Sequence, residues 1–183
     1  MIPLSVPKID GNASKYVWDC LKTGWISSAG GYVNQFEDMV ANYAGAKYCV
    51  ACMNGTVGLH IAQILLGITK EDHVIAPNIT FIATLNAIKY TGAQPILIDV
   101  DINNWQMDLG LLEQYLEQNT EFITTKSGTF CFDTTTNKRV RAIMPVHVLG
   151  NMGDMDRLLS VSNKSHLDII EANTEALWSL FTG

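Results

Sequence analysis

The residues with the clearest chemical potential are Asn54, Gly55 and Thr56, which follow the apolar run YCVACM and open a helical pattern from Thr56 to Leu66. A glycine at such a junction lets a ligand approach the backbone closely. The unpaired N–H groups of the first helical turn, together with the helix dipole, favour an anion there. The same residues also suit an ordinary helix cap, with Asn54 or Thr56 accepting a hydrogen bond from the first turn. The next such junction, in APNITFIATLNAIKY, sets Phe81 at the same rim. Its ring could stack on a flat heterocycle or simply fill the core.

Other chemistry is thinly represented. Cys49 and Cys52 make a CxxC, but inside an apolar run and without a second pair, so two reduced cysteines in a strand are expected rather than a zinc or thioredoxin-type site. His60, His73, His147 and His166 have no metal spacing, although His147 follows a strand and could touch a substrate. Neither a GxxxxGK[ST] loop nor a GxGxxG fingerprint occurs, which argues against an ATPase or a dinucleotide enzyme.

The elements that must position these residues follow a recognisable rhythm. Short β-branched runs at Tyr48 to Cys52, His73 to Ala76, Gln94 to Asp99, Ala142 to His147 and Leu167 to Glu171 alternate with helical patterns at Thr56 to Leu66, Thr80 to Tyr90, Leu109 to Gln118 and Met155 to Ser162. The pattern predicts an α/β fold with a mainly parallel sheet, flanked by helices and buried on both faces. In such sheets ligands bind beyond the carboxyl ends of the strands, where Gly55 and Phe81 would lie. Asp108 and Gly67 are expected to start and stop helices.

Residues 1–45 break the rhythm, with helices expected at Ser14 to Lys22 and Tyr32 to Tyr43 that would cover the sheet or a partner subunit. Residues 46–183 form the main domain, with residues 121–141 read as an inserted β-hairpin. A chain of 183 residues with 48% hydrophobic composition can bury one sizeable core. The net charge of -6 and the lack of any basic block argue against nucleic acid or an anionic membrane as partner. With no apolar run of spanning length and no signal-peptide pattern, a cytoplasmic protein is expected.

Read in order, GWISSAGGYVNQFEDMVANYAGAKYCVACMNGTVGLHIA, APNITFIATLNAI, GAQPILIDVD, MPVHVLGNMGDMD and IIEANTEAL resemble the DegT/DnrJ/EryC1/StrS family of pyridoxal-phosphate (PLP)-dependent nucleotide-sugar aminotransferases. The opening IPLSVPKIDGN, the phrase NWQMD and the inserted hairpin are most similar to the branch serving legionaminic and other nonulosonic acids. The resemblance implies part of a fold-type I large domain, a homodimer, and transfer of an amino group from glutamate to a 4-keto nucleotide sugar in cell-surface amino-sugar biosynthesis. It assigns Asn54, Gly55 and Thr56 to the PLP phosphate turn, Phe81 to ring stacking, and Glu175 to the neighbourhood of the cofactor hydroxyl. The family's small C-terminal domain has no counterpart here.

The same resemblance marks what departs. The family's strand-end EDAxE or EDAxQ aligns with Glu171 to Glu175, so Ala172 stands where an aspartate would pair with the pyridine nitrogen. Glu171 and Asn173 would point to the opposite face, and Asp168 lies ~13 Å along the strand. Trp178 replaces a usual glycine. The family's Schiff-base lysine follows the segment matching SLFTG, and none of the nine lysines present falls where the family has that residue. The expectation is therefore a chain with no catalytic residue of its own and no competent transamination. The alternative is an inactive remnant or a module that holds PLP or a nucleotide sugar noncovalently.

Overall fold

The computed structural model describes residues 2–3, 6–177 and 179. Two compact units divide after Cys52.

The first unit carries α1 (Ala13–Thr23) and α2 (Gly31–Ala44), which answer the two N-terminal helices read from the sequence. Each stops at a glycine in the left-handed region, Gly24 at φ 78° and Gly45 at φ 63°, whose N–H returns to a carbonyl of the last turn. Tyr16 packs on Tyr32 with ring centroids 4.9 Å apart, and the Tyr32 hydroxyl donates to Asp19 at 3.1 Å. The expected strand from Tyr48 to Cys52 is not formed. The segment is irregular and mostly exposed, tied down by the Ala51 N–H donating to Glu37 at 2.7 Å. This apolar run has no strand beside it among the described residues, and an extended run acquires a ladder only from a partner. Cys49 and Cys52 are accordingly free thiols in irregular chain, with Cys52 exposed.

The second unit holds α3 (Gly55–Leu65), β1 (Asp72–Pro77), α4 (Ile82–Tyr90), β2 (Gln94–Ile98), α5 (Leu109–Asn119), β3 (Thr120–Thr125), β4 (Gly128–Asp133), β5 (Arg139–Ile143), α6 (Met155–Ser165) and β6 (Asp168–Ile169). The sheet runs β2-β1-β5-β4-β3, with β6 also on β5. Pairs β1–β2, β1–β5 and β5–β6 are parallel, and β3–β4 and β4–β5 antiparallel. The expected insertion is thus smaller than 121–141. The hairpin is β3 and β4, while Arg139 to Arg141 belong to β5. The far edge of β5 is divided, with β4 pairing at Arg139 and Val140 and β6 at Ala142 and Ile143.

Alternation along the strands sends side chains to two cores. Ile75, Val140 and Ile143 pack with Leu112, Leu116, Leu158 and Val161 of α5 and α6. Val74, Ala76, Ala142 and Met144 pack with Ile88 and, from α3, Leu59 and Ala62. Strands covered on both faces read as near-continuous apolar runs, which is why β1 was legible. β2 was expected to be buried likewise, but it is an edge strand and Leu97 is half exposed. Side-chain caps set the helix starts: Asp108 accepts from Gly110 and Leu111, and Asp154 from Arg157.

Candidate functional site

The N-terminus of α3 and the segments following β1, β5 and β6 enclose a cavity of about 440 Å³. Gly55, Thr56 and Phe81, singled out from the residues themselves, and Glu175, implied by the family resemblance, all line it.

Asn54 does not line the cavity. It has an extended backbone, and its side-chain oxygen accepts from the Val57 N–H at 3.0 Å, so it caps α3. That bond fixes the direction in which the first turn begins, leaving the N–H groups of Gly55 and Thr56 without intrahelical acceptors. Gly55 is not in the left-handed region. A Cβ built on it would meet Thr174 Oγ1 at 3.6 Å, an ordinary contact, so the protein around it tolerates a side chain. The missing Cβ leaves space on the side of the cavity that faces Thr174.

Phe81 precedes α4 with φ -60° and ψ 143°, and its side chain is 73% exposed. A core role is thereby excluded, since a core phenylalanine would be covered. Behind it the Thr80 and Thr84 hydroxyls share a 2.8 Å hydrogen bond.

Beyond β6 the chain continues extended. Ala172 bridges Val146, its N–H donates to Pro145 at 2.9 Å, and its carbonyl accepts from the His147 N–H at 3.3 Å. Ala172 and Thr174 line the cavity; Glu171 and Asn173 do not. This is the alternation expected of an extended run. Glu171 pairs instead with His147, Oε1 to Nε2 at 2.9 Å, and the His147 side chain is 1% exposed. The Gly153 N–H can only donate, and it lies 3.4 Å from His147 Nδ1. The imidazole therefore carries its proton on Nε2 and gives it to Glu171.

Glu175 accepts from the backbone N–H of Leu149, a residue held at φ 57°. Gly150, at φ 78°, passes so close that a Cβ there would come within 2.9 Å of the Glu175 carbonyl oxygen. The Ser179 hydroxyl donates to the Gly150 carbonyl at 2.6 Å. The turn after β5 and the turn after β6 are thus locked together, and this lock positions Glu175. Sequence reading found Glu175 but missed the lock, as well as the His147–Glu171 pair; the glycine of HVLG was the available signal. Trp178 lies outside the described residues. Among the described residues no lysine lines the cavity and no metal-type cluster occurs.

A second concavity, of about 600 Å³, lies in the first unit between α1 and α2 and includes Trp25, Phe36 and Met39, with no charged side chain in its lining.

The chain is 37% identical over 182 residues to GDP-perosamine synthase of Caulobacter vibrioides and 38% identical over 182 residues to that of Escherichia coli O157:H7, covering 100% of this chain and 44% of each relative. It therefore spans less than half the length of these relatives. It is also similar to the PLP form of the putative sugar aminotransferase Spr1654 from Streptococcus pneumoniae, with a TM-score of 0.73 and 28% identity over 92% of this chain and 38% of that one. Residues 7–183 match the DegT/DnrJ/EryC1/StrS aminotransferase profile, and the chain belongs to that family, whose cofactor is pyridoxal phosphate and whose members act in nucleotide-sugar amination.

Proposed function

We propose that this chain supplies the phosphate-binding and ring-binding half of a PLP-dependent nucleotide-sugar aminotransferase large domain. The observation that carries the reading is the convergence of Gly55, Thr56, Phe81 and Glu175 on one cavity. At about 440 Å³ it is within the range of small-molecule sites.

The residues fit part of the cofactor. The N–H groups at Gly55 and Thr56, which have no intrahelical acceptor, suit a phosphate dianion. Phe81, at the rim, offers an apolar face to a heterocycle. Glu175, fixed by Leu149, offers a carboxylate to a hydroxyl. Bound PLP supplies an electron sink for amino-group chemistry. That chemistry also calls for an amine to carry the cofactor and move a proton, and for a carboxylate at the ring nitrogen. The cavity lining offers neither, because it includes no lysine and residue 172 is alanine.

The reading for the whole protein is transfer of an amino group from glutamate to a 4-keto nucleotide sugar, in a cytoplasmic homodimer that makes cell-surface amino sugars. The names of the two relatives support a GDP-linked sugar, as against the nonulosonic-acid branch suggested by the opening residues. For this chain the lining supports noncovalent cofactor binding without turnover. Titration with PLP and with phosphate-free pyridoxal tests it. Saturable binding that requires the phosphate is expected, with no cofactor fixed to a single lysine after borohydride reduction. Equal affinity for the two compounds refutes the phosphate seat; stoichiometric trapping on one lysine refutes the inactivity.

A further inference from the structure

Asn54 and Gly55 form the single Asn-Gly step of the chain. Asparagine is a thermolabile side chain, because the amide nitrogen of the next residue can attack its Cγ and close a five-membered succinimide ring. Glycine in second place leaves that nitrogen unshielded by a side chain. The fold around the step favours the attack. Both residues are exposed. The Gly55 N–H has no acceptor among the described residues, so its nitrogen is not held by a hydrogen bond. It stands in the first turn of α3, where the helix dipole favours the amide anion that makes the attack. The Asn54 Oδ1 accepts from the Val57 N–H at 3.0 Å, so the oxygen that gains charge as the ring closes already faces a donor. Closure also needs a turn about the Asn54 Cα–C bond from its extended ψ of 169°. Residues 48–53 ahead of it form neither helix nor strand, and Met53 is 91% exposed, so that rotation breaks no ladder.

We propose that Asn54 is a site of spontaneous covalent modification, with the Gly55 nitrogen as its nucleophile. Hydroxide removes the Gly55 amide proton, and the nitrogen pair forms a bond to Cγ. The Cγ–Nδ2 bond then breaks, and the side-chain nitrogen leaves as ammonia, taking a proton from water. Water opens the ring at either carbonyl, giving aspartate when the new N–Cγ bond breaks and isoaspartate when the backbone C–N bond between residues 54 and 55 breaks. Nothing is oxidised or reduced, and water is the co-reactant. Either product adds a negative charge at the start of α3, and isoaspartate also adds a methylene to the backbone there. On the phosphate-seat reading above, the Gly55 N–H that would hold a phosphate is the group that starts the reaction. Occupancy therefore protects Asn54, and conversion repels the phosphate.

The test is peptide mapping by mass spectrometry of the whole chain held at about pH 8 and 37 °C, beside a synthetic peptide of residues 50–60. The segment containing Asn54 is expected to gain about 1 Da, with isoaspartate present, sooner than any other asparagine of the chain. Gly55→Ala should slow the gain, and an unchanged rate there overturns the route through this nitrogen. Asn54 intact after several half-lives of the free peptide overturns the inference, as does aspartate without isoaspartate, the mark of direct hydrolysis. The same incubation with millimolar pyridoxamine 5′-phosphate should preserve Asn54, whereas pyridoxamine should not. Equal conversion in the two overturns the phosphate seat while leaving the modification standing.

Discussion

Replacing Gly55 by alanine should separate the stability of the fold from the affinity of the site. Gly55 is the first residue of α3, its φ is not positive, and a Cβ would sit 3.6 Å from Thr174 Oγ1 without a clash. Gly→Ala at a compatible position stabilises by about 0.4–1 kcal/mol, chiefly by restricting the unfolded chain. For a protein of this size that corresponds to a rise in Tm of about 1–4 °C. Gly55 and Thr174 both line the cavity, so the same methyl, projecting toward Thr174, is expected to crowd a phosphate held at the helix start. Loss of one hydrogen bond to a charged group costs about 1.5–3 kcal/mol, or roughly 10-fold to 150-fold in Kd. Thermal unfolding of the ligand-free protein and fluorescence titration with PLP and pyridoxal measure the two effects. The expected result is a higher Tm, much weaker PLP binding and unchanged pyridoxal binding. Unchanged PLP affinity would refute the placement of the phosphate, and a lowered Tm would show that the fold itself needs glycine here.

Further expectations concern the framework. Gly150→Ala combines a left-handed φ of 78° with a 2.9 Å approach to the Glu175 carbonyl oxygen, so urea unfolding should show a loss of at least about 1 kcal/mol together with weaker ligand binding. His147→Phe leaves the Gly153 N–H and Glu171 without their partner and should cost about 1–3 kcal/mol by the same assay. Burial raises the pKa of Asp133, but hydrogen bonds from the Tyr115 hydroxyl at 2.6 Å and from Thr136 outweigh it and hold the carboxyl below its usual value. A depressed native pKa means that its stabilisation is present above the unfolded value, ~3.9, and is lost as pH falls through the native one. Tyr115→Phe should therefore lower stability at neutral pH and flatten its decline on the acid side, as read from urea midpoints between about pH 2 and 6.

The sequence was most legible where burial and local chemistry agree. β1 is apolar on both faces, and Asp108 caps α5 as its position suggested. Tyr48 to Cys52 misled because a short apolar run reports only a willingness to extend, and strand formation depends on a partner that lies elsewhere in the chain. The hairpin was overdrawn because the alternation at Arg139 to Arg141 is the same whether the strand closes a hairpin or enters a sheet. In the site, Phe81 could be found because it lies at the junction between β1 and α4, and Gly55 and Thr56 because they open a helix, although the strand expected before them is not formed. Asn54 was the ambiguous member, and its hydrogen bond to Val57 makes it a cap. The locking of the Leu149–Gly150 turn onto Glu175 was not visible, since it joins residues distant in sequence through backbone atoms that any residue possesses.

The divided edge of β5 has a consequence for the order in which the molecule comes together and comes apart. The meander β3-β4-β5 links neighbours along the chain, so its contacts close short loops at small entropic cost. β6 must return across α6 and then finds only the two residues of β5 that the hairpin leaves uncovered. The segment carrying Ala172 and Glu175 is therefore expected to dock late and to detach first, with amide hydrogens at 168–172 exchanging well before those of β1 or β5. A ligand bridging α3 to that segment would act as the missing length of strand, slowing exchange at residues it never touches.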